Sequence, residues 1–386
     1  MPTDGIPTVF EFPAVEGRKV VASFDGGAIT TDAGALLLGQ ADRAIRLTER
    51  FAACFTDTRT AGLVEHQVKT LVMQRVIGIA LGYEDLNDHD ELRNDPVLAV
   101  LAGKVAAQRS DCAPLAGKST LNRLELSRAE PTRHHKISHD TAAIESLFVD
   151  LFLDAHNKPP KQIVLDLDAT DDPLHGNQEG KFFHGYQDCY CYLPLYIFCG
   201  RHLLAARLRR ANADAAAGAV EETARLVARI RRRWPRVRIL LCGDSGFCRD
   251  PLMAWCEANR VDYVFGLARN DRLEQALTSE VITATIESLR TGGTTRCFKD
   301  FRYATRDSWS RERRVIGKAY IVTGGNGQVI TVARRHHRLR RPWATIRSLP
   351  CCRPPLTCGR PAHLPVAIED ATVVMRIKGS RPAYLP

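Results

Sequence analysis

The sequence predicts an α/β fold organised around one central sheet, and three observations support that prediction. Two apolar runs, Ile163-Val164-Leu165-Asp166-Leu167-Asp168 and Ile239-Leu240-Leu241-Cys242-Gly243-Asp244, have the length of strands buried on both faces. Each run ends on an aspartate, at the sheet edge where α/β folds usually place their sites. From Lys161 onward, the order of segments is three strands, a helix, a strand, a helix and a strand.

The strand candidates are 162–168, 190–199, 202–209, 237–243 and 262–267. Ala211 to Arg232 is Ala-rich and stops at Trp234-Pro235, so it reads as a helix. Asp250 to Asn259 reads as a second helix, with Asp250 as N-cap and Pro251 at its first position. Three strands on short connections form a meander, and the later strands join it in parallel through crossover helices. That order is the one expected of a ribonuclease H-like fold. It sets the first and fourth strands side by side and brings Asp168 and Asp244 together.

Ahead of this core, residues 1–20 contain Pro and Gly and read as an irregular arm. Thr31 to Glu130 is mostly helical, with Val64, Val68, Leu71, Val72 and Ile79 on one face. Behind it, Thr294 to Thr305 and Arg314 to Thr323 alternate like a hairpin or small sheet. After Tyr320 the prolines are frequent, arginine is dense, and no period persists until Ala367 to Ile377. The expected organisation is therefore a helical region over 1–150, a catalytic core over 160–290, a β-rich insertion over 291–330 and an irregular basic tail over 331–386.

A 386-residue chain with 45% apolar and 25% charged residues is that of a globular protein. No apolar stretch reaches the ~20 residues that span a bilayer, and Met1 to Phe12 lacks a signal-peptide pattern, so a cytoplasmic location is expected. Twelve cysteines form no C-x-x-C pair, and Cys242, Cys248 and Cys256 sit in or beside apolar runs, against disulfides and structural zinc. Residues 201–238 hold eleven arginines against Asp214, Glu221 and Glu222. Such a block suits a polyanion such as nucleic acid, or else a solvated helix face. Lys118-Ser119-Thr120 lacks the glycine of a phosphate loop, since Cys112 stands there. Glu84 to Asp95 lacks the central glycine of a calcium loop, and His134, His135 and His139 read as a surface cluster.

Two carboxylates from separate strands form a divalent-cation site, and oxygen ligands favour Mg²⁺, with Mn²⁺ as a substitute. Asp166 and Asp168 are two residues apart and share a face, so Asp166 is a supporting candidate. Asp244 is followed by Ser245-Gly246, a tight exit that exposes its carboxylate. Taken singly, each aspartate also fits a turn or helix cap.

From Phe24 to Lys318 the chain resembles bacterial insertion-sequence transposases of the DDE class, group 1. The residues that carry the resemblance include Phe24-Asp25-Gly26-Gly27, Gly82-Tyr83-Glu84-Asp85-Leu86-Asn87-Asp88 and Asp166-Leu167-Asp168-Ala169-Thr170-Asp171-Asp172. His175-Gly176, Gly185-Tyr186, Tyr190-Cys191-Tyr192-Leu193-Pro194-Leu195 and Asp244-Ser245-Gly246-Phe247 complete them. The resemblance implies a ribonuclease H-like domain that cuts and joins double-stranded DNA at terminal inverted repeats with Mg²⁺, and a homodimer is among the expected assemblies. By motif position, Asp168 matches the first catalytic aspartate and Asp244 the second.

One departure stands out. The family's third acid lies in a Tyr-x-x-Arg-x-x-x-Glu signature, but here Tyr303 and Arg306 are followed by Ser310 at the glutamate position. Glu312 lies in a strand-like segment, and Glu369 lacks the accompanying Tyr and Arg. The Arg/Pro/Cys-rich tail is what an out-of-frame reading of a GC-rich gene gives. The expectation is a copy frameshifted in its C-terminal quarter and lacking its third acid, which binds metal weakly and cleaves little or not at all. Two other readings stay open. Asp166, Asp168 and Thr170 also satisfy the nucleophile motif of haloacid dehalogenase-class phosphatases, with Asp166 as nucleophile, although Cys248 stands where that class needs a further aspartate. A non-catalytic DNA-binding remnant would instead act through Arg225, Arg229, Arg232 and Arg233.

Overall fold

The computed structural model describes residues 9–23, 29–185, 188–321 and 328–335. The chain divides into two compact units, Met1–Leu147 and Phe148–Pro386. No helix among the described residues is long and apolar enough to cross a membrane.

The second unit is built on one mixed eight-stranded sheet. Its strands are β1 (Gln162–Ala169), β2 (Leu195–Cys199), β3 (His202–Arg207), β4 (Arg238–Gly243), β5 (Asp262–Leu267), β6 (Thr295–Tyr303), β7 (Arg313–Ile321) and β8 (Gln328–Arg335). They lie in the order β3-β2-β1-β4-β5-β8-β7-β6. The first three form the expected antiparallel meander, and β4 joins β1, and β5 joins β4, in parallel. The expected run 190–199 is two strands, because Pro194 cannot donate to a ladder and the chain re-registers there.

Helix α1 (Ala219–Arg233) makes the crossover to β4, and α2 (Asp250–Ala258) the crossover to β5. α1 starts later than Ala211 because Gly218 takes a left-handed conformation (φ 74°). The guanidinium of Arg209 holds the preceding turns by donating to the carbonyls of Leu193, Ala215 and Ala217. Glu221 and Glu222 in the first turn of α1, and Arg231 to Arg233 in its last, complement the helix dipole. The N-cap of α2 is Arg249 rather than Asp250, whose carboxylate accepts instead from Ser310 and Arg313. Leu226, Ile230, Leu252, Met253 and Cys256 of these helices bury one face of the sheet together with Ile163, Leu165, Leu167, Ile239 and Leu241. Burial on this scale, at roughly 1.5–3 kcal/mol per large side chain, is what fixes β1 and β4 side by side.

The hairpin expected over 294–323 is present as β6 and β7, and β8 links it to β5, so these strands extend the large sheet. β8 reaches into the stretch expected to be irregular, and residues 336–386 lie outside the described residues. Helix α3 (Thr278–Thr291) covers the hairpin, and Leu277, which caps it, packs so closely that Gly317 has no room for a Cβ.

In the first unit, the expected irregular arm contains a hairpin, Val9–Val15 with Arg18–Ser23. Its two-residue turn has positive φ at both Glu16 (49°) and Gly17 (76°), the geometry that matches strand twist. The helix Val68–Leu81 buries Val68, Leu71 and Val72 as expected, but Ile77 takes the core position and Ile79 is half-exposed. Lys118 opens a helix whose first amide is bonded by Asp90, and its ammonium pairs with Asp90 and Asn87, as a solvated cap rather than a phosphate cradle.

Candidate active site

The register of β1 and β4 sets Leu165 level with Leu241 and Leu167 level with Gly243. One residue further, Asp168 still pairs with Tyr196 within β1, while Asp244 is the first residue past the end of β4. Alternation along β1 sends Ile163, Leu165 and Leu167 into the helical core and Val164, Asp166 and Asp168 to the opposite face. There Val164, Leu240, Cys242 and Val264 make a smaller apolar cluster behind the acids. Burial declines along this row, from half-buried Val164 and Asp166 to exposed Asp168. The apolar positions therefore fix the strands, and the polar end of the same face opens at the edge.

Each carboxylate is oriented by its own loop. Thr170 Oγ1 donates to Asp168 Oδ2 at 2.9 Å. The Gly246 amide donates to Asp244 Oδ1 at 2.8 Å, so Asp244 caps the single turn Ser245–Phe247. Gly246 is needed for space: a Cβ there would lie 2.8 Å from that of Ala215 and 3.0 Å from Asp244 Oδ1. Arg249 ties this turn to the loop before α1, donating to the Ser245 carbonyl and pairing with Asp214 at 2.9 Å. Asp244 is accessible as a residue, yet loss of hydration is the largest influence on its carboxyl and raises its pKa above the usual range. The negative charge of Asp168 pushes in the same direction, against the Gly246 and Phe247 amides and Arg249.

Asp166 shares the face of Asp168 but lies level with Cys242, one side-chain repeat behind the edge. Among the described residues no group of three or more His, Cys, Asp or Glu converges into a cation cage, and His134, His135 and His139 form none. Tyr303 ends β6 with its hydroxyl on Asn270. Ser310 gives both its amide and hydroxyl to Asp250 Oδ1, at the start of α2. The Tyr303-to-Ser310 segment is thus the turn of the β6–β7 hairpin rather than a helix. Glu312 is exposed beside it, while Glu369 and Phe24 to Gly27 lie outside the described residues.

The four candidate arginines divide into two pairs. Arg225 bonds Glu222, and Arg229 makes a two-pronged pair with Asp150 at 2.6 and 2.7 Å. Arg232 and Arg233 are exposed at the end of α1. Sequence reasoning missed Arg209 and Arg249, the latter because its partner Asp214 lies thirty-five residues earlier, while the Asp-Ser-Gly exit was legible locally.

Three comparisons bear on this geometry. Residues 12–341 match the family described as Transposase DDE domain group 1. No curated protein matches the chain. Six solved chains match, among them one in a cryo-EM structure of the piggyBac transposase synaptic complex with hairpin DNA. That chain is 11% identical, with a TM-score of 0.35 over 81% of this chain, a likeness too loose to assign a function or a residue role. This chain spans 63% of its length.

Proposed function

This chain belongs to the group 1 family of DDE-domain transposases, an enzyme class, and on that premise we propose a DNA transposase with a ribonuclease H-like core. Its reaction is cleavage and strand transfer at the terminal inverted repeats of an insertion sequence, with Asp168 and Asp244 as catalytic residues. The observation that carries this reading is that β1 and β4 are parallel neighbours in register through Leu167 and Gly243, the residues just before Asp168 and Asp244. Two like charges at one edge, one of them held above its ordinary pKa, are chemically suited to a hard divalent cation. Asp168 and Asp244 would hold Mg²⁺ or Mn²⁺, with Asp166 supporting Asp168 from behind. Bound there, the cation supplies Lewis acidity toward the scissile phosphodiester and a more acidic attacking hydroxyl.

The chain's own residues do the positioning. Thr170 and the Gly246 amide each engage one carboxylate oxygen and so fix the two side chains. Arg249, tied to Asp214, steadies the turn that carries Asp244. Arg232 and Arg233 would meet DNA phosphates, and residues 1–150 would bind the DNA ends. By motif position Ser310 replaces the third acid, and it is committed to Asp250, so this copy would bind the cation weakly and cleave little or not at all.

The test is incubation of the purified chain with Mg²⁺ and a DNA carrying the element's inverted repeats. Salt-sensitive binding with little or no nicking is expected, and any residual nicking should disappear in Asp168→Asn. Failure to bind DNA at all, or nicking that survives Asp168→Asn, would refute the reading. A phosphatase activity lost in Asp166→Asn would replace it with the phosphatase.

A further inference from the structure

Beyond the carboxylate edge, β1 and β2 do not close in a tight turn. The chain runs from Ala169 into three short strands, Asp172–Pro173, Phe182–His184 and Cys189–Tyr192, before Pro194 returns it to β2. The last of these lies in the middle and pairs with both others. This extension is rooted at Asp172, within about 14 Å of chain from Asp168.

One face of the extension is aromatic and open. Phe183 is directly opposite Tyr190, so both rings rise from the same side, with centroids 5.5 Å apart in an edge-to-face arrangement. Phe183 is 45% exposed and Tyr190 52%, whereas aromatic pairs of this kind normally bury most of their area. The Lys181 ammonium lies 5.2 Å from the Tyr190 ring centre, steadied by the Gly176 carbonyl and Asn177 Oδ1. Arg210 bridges to Tyr192, and Gly180 (φ +75°) lets its guanidinium approach: a Cβ there would be 3.2 Å from Arg210 Nε.

We propose that Phe183 and Tyr190, with Lys181 and Arg210 beside them, form a stacking platform for an unpaired base of the DNA strand engaged at Asp168 and Asp244. The inference rests on the proposed action on DNA. Aromatic rings stack on any base, and flanking cations meet the backbone, which is how single strands are held without sequence preference. Rooting beside Asp168 keeps the platform within reach of nucleotides that flank the bound phosphodiester. Asp171, Asp172, Glu179 and Asp188 on the same extension repel phosphates. Stacking therefore has to supply most of the attraction, and the platform's share of binding should vary little with salt.

The experiment uses the full chain, a short fluorescent oligothymidylate and a blunt duplex, with affinities read by anisotropy at low and high salt. Phe183→Ala and Tyr190→Ala should each weaken oligothymidylate binding on the order of tenfold at both salt concentrations and leave duplex binding unchanged. Tyr190→Phe should bind like wild type, because the ring is kept. Alanine variants that hold oligothymidylate as tightly as wild type would overturn the platform. A wild-type chain that binds duplex but not oligothymidylate overturns the platform alone, and one that binds neither overturns the DNA reading beneath it.

Discussion

Asp244 and Asp250 are six residues apart and both are partly withdrawn from water, yet the fold treats them in opposite ways. Burial pushes both carboxyls up. At Asp250 the backbone of Ser310 and the guanidinium of Arg313 more than offset it, and the pKa falls below the ordinary value. Glu257 behaves likewise: burial is outweighed by Arg311, Arg313 and the Tyr263 hydroxyl. Arg313, with its side chain 2% exposed, joins both acids and lies over the Trp309 ring. Asp244 has only two amides and the more distant influence of Arg249, while Asp168 adds a like charge, and its pKa stays raised. The hub around Arg313 is a finished structural element. At the edge, loss of hydration and the like charge of Asp168 both act on Asp244, a cost that a bound cation would relieve under the proposed reading.

The largest effect expected from this contrast is at the edge. Asp168→Asn or Asp244→Asn should weaken Mn²⁺ binding at least about a hundredfold, measured by electron paramagnetic resonance of free Mn²⁺. Asp250→Asn should leave it nearly unchanged. Equal losses in all three variants would erase the distinction between the regions.

At the hub the expected effect is on stability. Arg313→Met leaves two acids without their shared cation and should cost about 3 kcal/mol in urea unfolding, without altering Mn²⁺ affinity. A loss below about 1 kcal/mol would show that water compensates the acids and that the hub is not a closed element.

A smaller effect separates the paired from the exposed arginines of α1. Replacing Arg232 and Arg233 by Gln should reduce DNA affinity and flatten its dependence on salt, with a slope change of about two. Replacing Arg229 should mainly lower stability through its pair with Asp150. The reverse pattern would move the DNA contact elsewhere.

The smallest effect is a pH dependence with a definite sign. The folded pKa of Asp244 is above its unfolded value, so the native state binds more protons than the unfolded state between the two values. Stability of the metal-free protein should therefore fall as pH rises through that window. Asp244→Asn should remove this component of the fall, as followed by thermal melts across the acidic range.

Much of the core was legible because it depends on local pattern. The apolar runs fixed β1 and β4, and the order of strands and crossovers set them side by side, in register through Leu167 and Gly243. What escaped depends on partners distant in sequence. Pro13 and Gly17 looked irregular, yet Glu16-Gly17 is a hairpin turn whose conformation only the pairing reveals. The alternation of β6 and β7 was visible, but their membership of the large sheet is decided by β8, which pairs with β5 more than sixty residues earlier in the chain. Arg229 looked free because Asp150, its partner, lies on another helix. Asp250 looked like a helix cap until Arg313 claimed its carboxylate.

The most direct test is a set of thermal melts of wild type, Asp168→Asn and Asp244→Asn, each with and without Mg²⁺ at neutral pH. A resident-cation site at the β1/β4 edge predicts that Mg²⁺ raises the melting temperature of wild type and of neither variant, with metal-free Asp244→Asn melting no lower than wild type. An equal rise in all three proteins would place the cation elsewhere and contradict the assignment of Asp168 and Asp244.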